Sequence, residues 1–237
     1  MNVPRIAMVL AAGLGTRLRP LTDDRPKPLV EVGGQTLLDR TLDRLAEVGV
    51  ERAVVNLHYK PDMVRAHLAK RTSPAITLSD ETGLLLETGG GVAKALPLLG
   101  TEPFLVVNSD MIWRDWHGSS LHRLAEAWDN AKMDALLLMQ TSVFAIGYEG
   151  MGDFEMAADG KLARRDQRMV SPFVFTGVQI LHPRLFENCP SGAFSLNRLY
   201  DKAQNAGRLY GLRHYGDWMD VGTHYGLAEA EKELARA

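Results

Sequence analysis

Gly13, Gly15, Arg17, Arg19 and Lys27 fall in one short stretch where small residues are interleaved with cations. It reads Leu10-Ala11-Ala12-Gly13-Leu14-Gly15-Thr16-Arg17-Leu18-Arg19-Pro20-Leu21-Thr22, then Pro26-Lys27-Pro28-Leu29. Glycines let backbone N–H groups close on a phosphate chain, and cations neutralise it. Three positive side chains around one glycine loop suit a triphosphate better than the pyrophosphate of a dinucleotide. On this reading Leu10, Ala11, Ala12, Gly13, Gly15 and Thr16 line the nucleotide, Arg17 holds the β/γ-phosphates and Lys27 the α-phosphate. An ordinary glycine-rich turn with solvated cations would use the same residue types. The string lacks the third glycine of a dinucleotide fingerprint and the Gly-Lys-Ser/Thr of a P-loop.

Two distant aspartates extend the chemistry. Asp110 ends the apolar run Phe104-Leu105-Val106-Val107-Asn108-Ser109-Asp110, and irregular chain is expected after it. Asp220 stands in Asp217-Trp218-Met219-Asp220-Val221-Gly222-Thr223. One or two carboxylates plus substrate phosphate oxygens are the usual protein share of a Mg²⁺ site, so both are expected to hold Mg²⁺. Each alone would read as a cap or a surface charge. Asp23, Asp24, Asp115 and Asp217 are expected to be solvated or capping.

Leu86-Glu87-Thr88-Gly89-Gly90-Gly91 opens a helix with three glycines. Free backbone groups there suit the edge and ribose of a base, with Glu87, Gly89 and Gly90 as contacts; the other reading is a flexible helix start. Phe175-Thr176-Gly177-Val178-Gln179 is a strand whose glycine marks either a sugar contact or a bulge. The seven histidines show no metal-ligand spacing, and no Ser-His-Asp arrangement is recognisable.

The elements that must position these residues follow from periodicity. Strands are predicted over 6–10, 53–57, 76–79, 104–107 and 135–140, with helices over 37–48, 62–69, 91–98 and 120–131. That alternation predicts an α/β fold with a mostly parallel central sheet and helices on both faces. Ligands of such sheets sit beyond the carboxyl ends of the strands, where Leu10 and Asn108 fall. Later come a hairpin around Asp159-Gly160, a strand over 174–181 and a helical stretch over 185–206 broken at Cys189-Pro190-Ser191-Gly192. A strand over 209–215 and a terminal helix over 224–236 complete the reading. The chain is expected to form one domain over 1–237. Residues 1–140 would be its nucleotide half and 141–237 its acceptor half.

Composition narrows the class. With 27 basic against 29 acidic residues the net charge is −2, which argues against a nucleic-acid binder. A single cysteine, Cys189, allows no internal disulfide. The apolar run near the N-terminus is too short for a membrane span and arginines follow it, so a buried strand and a cytoplasmic location are expected. Nothing fixes the oligomeric state beyond a monomer or small homo-oligomer.

The string Leu10–Leu29 resembles the signature of the sugar-1-phosphate nucleotidylyltransferases. Asn108-Ser109-Asp110 stands where that family has Asn-Gly-Asp, so Ser109 is a departure. The resemblance continues through Leu86–Gly91, Ala95–Gly100, Gly152-Asp153-Phe154, Gly177–Phe186, Gly192-Ala193-Phe194 and Trp218–Thr223, nearly the whole chain. It implies a Rossmann-like nucleotide-diphospho-sugar transferase fold, Mg²⁺ dependence and pyrophosphate release. By motif position Arg17, Lys27 and Asp110 would be catalytic, Asp110 and Asp220 the Mg²⁺ ligands, and Asn108 a nucleotide contact. Asp153, Thr176 and Gly177 would touch the sugar phosphate. The resemblance further implies UTP as donor and N-acetylmuramate 1-phosphate as acceptor, in peptidoglycan sugar recycling. Alternatives are another sugar 1-phosphate or choline phosphate with GTP, CTP or dTTP, or a non-catalytic nucleotide-sugar sensor. A dehydrogenase would want the third glycine and an acidic residue further on.

Overall fold

A computed structural model describes residues 1–236. Its strands are β1 (Ile6–Leu10), β2 (Glu31–Val32), β3 (Gln35–Thr36), β4 (Arg52–Leu57), β5 (Ala75–Asp80), β6 (Phe104–Asn108) and β7 (Met111–Asp115). They continue as β8 (Ala135–Thr141), β9 (Ala145–Ile146), β10 (Phe154–Met156), β11 (Leu162–Arg164), β12 (Phe173–Leu181), β13 (Leu209–Arg213) and β14 (Gly216–Asp220). The helices are α1 (Leu21–Asp24), α2 (Leu37–Glu47), α3 (Pro61–Leu68), α4 (Glu87–Leu99), α5 (Ser120–Ala127), α6 (Asn197–Asn205) and α7 (His224–Leu234).

A nine-stranded sheet carries the order β11-β10-β12-β6-β1-β4-β5, with β8 joining β12 to β13. The pairs β1/β4, β1/β6, β4/β5 and β8/β13 are parallel, whereas β12 runs antiparallel to both β6 and β8. A strand from the second half of the chain therefore lies between two strands of the first half.

Strand side chains alternate faces, and here each face has its own core. Ala7, Val9, Leu105, Val107, Leu136 and Leu138 point to one side, onto Leu38, Leu42 and Leu45 of α2 and Leu121 and Leu124 of α5. Met8, Phe104, Val106, Leu137 and Met139 point to the other, onto Val92, Ala95 and Leu99 of α4 and Leu199 and Ala203 of α6. Strands apolar on both faces are what a helix-covered sheet needs. Hence the expected α/β class with helices on both faces is the observed one.

Two sequence readings need correction. Asp110 is followed by β7, which pairs antiparallel with β14 in a second, three-stranded sheet. Within the stretch 185–206, the first piece is only a 3₁₀ turn at Pro183–Phe186, and α6 begins at Asn197. The break expected at Cys189-Pro190-Ser191-Gly192 is present, and the irregular chain around it extends from Glu187 to Leu196.

Candidate active site

The β7/β14 pairing builds the site. Asp220 lies in register with Met111, so it sits one residue from Asp110 although far from it in sequence. Ile112, Met219 and Val221 anchor these strands in a small core closed by Ala230 of α7. Leu37 of α2, Val30 and Val32 pack into the same core, just after the Pro-Lys-Pro turn that carries Lys27. One cluster of apolar contacts thus holds all three charged residues.

Lys27 is 7% exposed, and its Nζ donates to Asp110 Oδ2 at 2.9 Å. Prolines on both sides restrict the Lys27 backbone, and the carbon stem is buried while the ammonium faces the carboxylate. Asp220 Oδ1 accepts from the Gly222 amide at 2.8 Å. Burial raises the Asp220 pKa, the neighbouring Asp110 charge adds to this, and Lys27 and Arg17 oppose it. Arg17 is exposed and rests its guanidinium over Gly222, where a Cβ would lie 2.7 Å from Nη2. Arg17, Lys27, Asp110 and Asp220 therefore converge as one alternating set of charges.

Beside this set opens a pocket of about 350 Å³ lined by Leu10, Ala11, Ala12, Gly13, Lys27, Asn56, Leu85, Glu87, Thr88, Asn108, Asp110 and Ser195 among others. Gly15 and Thr16 do not line it; Gly15 turns the chain with φ +66° and starts a 3₁₀ turn. Glu81 was missed by the sequence reading, and with it the hydrogen-bonded pair it forms with the pocket-lining Asn56. Asn56 Oδ1 accepts the Ala11 amide at 2.6 Å, and Asn56 Nδ2 donates to Glu81 Oε1 at 2.8 Å. Glu81 Oε2 accepts from the Leu86 amide at 3.4 Å, so one buried carboxyl ties the two walls of the pocket together. Burial raises the Glu81 pKa, against the hydrogen bond from Asn56. The usable signal was a polar Asn inside an apolar strand.

Asn56→Asp is expected to set two buried carboxyls face to face and to destabilise the protein by about 1–3 kcal/mol. The deficit should be larger at alkaline than at acid pH, because a shared proton relieves it. Urea melts of Asn56→Asp and of Asn56→Asp/Glu81→Gln check this: the double variant, with one carboxyl again, should recover most of the loss.

Several expected contacts are placed differently. Gly89 and Gly90 are buried and do not line the pocket, and both amides donate to the Phe194 carbonyl, at 2.8 and 3.1 Å. They are not the free backbone donors expected for a base; they are small because α4 presses on Phe194 and Gly192. A Cβ on Gly90 would run into the Gly192 carbonyl. Gly→Ala inside a helix normally stabilises by about 1 kcal/mol. Here overpacking against backbone reverses the sign, and Gly90→Ala is expected to lose about 1–3 kcal/mol in thermal melts.

Thr176 is likewise committed. Its hydroxyl donates to Leu138 O at 2.8 Å, and its carbonyl accepts from Trp218 Nε1 at 2.9 Å. Gly177 sits at the irregularity between Phe175 and Gln179 with φ +83°, and a Cβ would lie 3.0 Å from Asn108 Cβ. The bulge reading holds for it, and its smallness seats the Asn108 side chain. Asp153 lines a separate cavity, its Oδ2 accepting from the Phe175 amide at 2.9 Å, and burial raises its pKa. Asp115 and Asp217 are not solvated caps: they form ion pairs with Arg44 and Arg114 at 3.0 and 2.7 Å.

Asp110 and Asp220 fit a hard divalent cation. They are two convergent oxygen donors beside a pocket of phosphate-ligand size, with room for substrate oxygens to complete the shell. No cluster of three or more His, Cys, Asp or Glu side chains suited to a metal occurs among the described residues. A closed all-protein cage is thus not the arrangement here. No helix among the described residues is long and apolar enough to cross a membrane.

Comparisons with known proteins agree with this geometry. The N-acetylmuramate alpha-1-phosphate uridylyltransferase of Caulobacter vibrioides (strain ATCC 19089 / CIP 103742 / CB 15) is 46% identical over 240 residues, covering 100% of this chain and 99% of the relative. The protein of the same name from Neisseria meningitidis serogroup B (strain ATCC BAA-335 / MC58) is 34% identical, covering 95% and 96%. Among solved structures, the inositol-1-phosphate CTP transferase from T. maritima superposes with a TM-score of 0.79 at 18% identity, covering 99% of this chain and 98% of that one. The family model for nucleotidyl transferases matches residues 6–146, which include the phosphate loop, Lys27 and Asp110. The chain is an enzyme of the nucleotidyl transferase family.

Proposed function

We propose that this protein transfers UMP from UTP to N-acetylmuramate 1-phosphate, releasing pyrophosphate, in peptidoglycan sugar recycling. The observation that carries the reaction is the convergence of Lys27, Asp110, Asp220 and Arg17 at the mouth of the donor pocket. The choice of UTP and of the acceptor rests on the likeness to the two uridylyltransferases. The acting molecule is the single chain or a small homo-oligomer in the cytoplasm. Residues 1–140 supply most of the donor site, to which Ser195 and Asp220 are added from the rest, and the rest supplies the acceptor site.

The nucleophile is a phosphate oxygen of the acceptor, already ionised at neutral pH, so no general base is required. A new bond forms between that oxygen and the α-phosphorus. The bond from the α-phosphorus to the oxygen bridging to the β-phosphorus breaks, and pyrophosphate leaves with its electrons. The barrier is dominated by bringing anion to anion, and the protein lowers it by positioning and charge. Asp110 and Asp220 would hold Mg²⁺, which supplies charge neutralisation between the two phosphates. Lys27, fixed at the pocket mouth, stabilises charge on the α-phosphoryl oxygens. Arg17, exposed beside Gly222, stabilises the departing pyrophosphate. Ala12 and Gly13 offer backbone to the phosphate chain, while the Ala11 amide is taken up by Asn56 Oδ1, which fixes the start of the loop.

A pyrophosphate-release assay with Mg²⁺ tests the reading, crossing UTP, CTP, GTP and dTTP with the 1-phosphates of N-acetylmuramate, N-acetylglucosamine, glucose and mannose. Release is expected from UTP with the muramate. Release from another pair alone would replace the proposed substrates, and release from none would overturn the enzyme's assignment to sugar 1-phosphates.

A further inference from the structure

The groove does not end at the donor pocket. Asn108 and Ser195 line that pocket, and Asn108 packs on Gly177. Two residues before Gly177 stands Phe175, and two residues after Ser195 stands Asn197. Phe175 and Asn197 both line a second cavity of about 180 Å³, together with Asp153, Phe154, Arg164 and Arg165. The lining of the second cavity thus draws on the same two strips of chain that border the first.

Two adjacent guanidinium groups form one wall of this cavity. Arg164 Nη1 donates to both carboxylate oxygens of Asp201 on α6, at 2.7 and 2.8 Å, and to Asn197 O at 3.4 Å. Arg165 Nε donates to Gly152 O, and its Nη1 to the carbonyls of Asp166, Gln167 and Met169. Arg164 Nε and Nη2 and Arg165 Nη2 donate to nothing among the described residues. A neutral sugar phosphate has one anionic group, and the Lys27–Asp110–Asp220 site serves it. The open Nε/Nη2 edge of Arg164 presents a planar fork that matches the carboxylate of a second anion, and Arg165 adds the single open donor Nη2. Asp153 in the lining and Asp201 on Arg164 balance the two cations, so the pull on an anion comes from the open N–H donors and not from an excess of positive charge.

We infer that Arg164 and Arg165 read a carboxylate on the acceptor sugar, the lactyl ether of N-acetylmuramate, and so set the enzyme against hexosamine 1-phosphates that lack one. This inference rests on the uridylyltransferase reading above. The test is the ratio of kcat/KM for N-acetylmuramate 1-phosphate to that for N-acetylglucosamine 1-phosphate, with UTP. It is measured for the wild type, Arg164→Gln, Arg165→Gln and Asp201→Asn. The ratio is expected to favour the muramate in the wild type and to fall roughly 10- to 100-fold in each arginine variant, mainly through KM, as loss of a charge-assisted hydrogen bond requires. Asp201→Asn removes the ion pair of Arg164 but keeps its guanidinium, and should keep the ratio. Should Arg165→Gln not fold, Arg165→Lys replaces it; an ammonium cannot make the Nε and Nη1 bonds that aim Arg165 Nη2 and should still lower the ratio. An unchanged ratio in the arginine variants, or the same collapse in Asp201→Asn, would overturn the inference and leave the proposed function standing. A wild type that does not uridylylate the muramate would overturn both, and the wild-type arm alone shows which has failed.

Discussion

Asp110→Asn is expected to lower kcat by about a hundred- to a thousandfold, the range for removing one preorganised electrostatic group at a reacting centre. The fold should survive. Asp110 is 44% exposed on its side chain, so its ion pair with Lys27 contributes little to stability, roughly 0–1 kcal/mol. Asn also keeps an oxygen that accepts from the Lys27 ammonium, so the nearly buried cation is not stranded. Steady-state kinetics with a thermal melt on the same preparation separates the two effects. Excess chelator should bring wild type and variant to the same residual rate. Near-normal turnover in Asp110→Asn would sink the metal assignment, because Asp220 alone would then suffice.

Lys27→Met should cost a similar factor in kcat for a different reason. The methionine fills the same channel between Pro26 and Pro28 with an unbranched stem, so packing is nearly kept. What goes is a nearly buried cation aimed at the pocket mouth. The loss should fall on kcat more than on the KM for UTP, because charge on the α-phosphoryl group grows toward the transition state. Asp110→Asn/Lys27→Met should lose much less than the product of the two single losses, since the residues act as a unit. Full multiplicativity would show that they act separately.

How much of this could be read from sequence depended on range. Four of the five early strands showed themselves because they are apolar on both faces, and the edge strand Ala75–Asp80 because Ile76 and Leu78 alternate with Thr77 and Ser79; Ile6–Leu10 is found with the expected bounds. The cations of the phosphate loop were legible because they are local. Asp220 was legible only as a carboxylate in a suggestive string. Its partner strand β7 is five residues long, and polar Arg114 and Asp115 blur its pattern. That strand exists through Trp113 opposite Trp218, a pairing no local window contains. The glycines of α4 displayed a permissive backbone in the sequence. They gave no sign that the space they leave is filled by Phe194, which arrives from the far half of the chain.

The β10–β11 hairpin lies at the outer end of the large sheet, and its one registered pair to β12 is Phe154 with Phe173. It nevertheless carries the Asp153, Arg164 and Arg165 wall of the second cavity. Edge segments tolerate exchange far better than central strands do, because few backbone bonds and little core depend on them. Interior strands β1 and β6 end in the residues that face the donor. On the proposed acceptor reading, a different hairpin grafted between Gly152 and Ser171 that keeps the buried Phe154 and Leu162 is expected to change the sugar taken while the nucleotide chemistry stays in place.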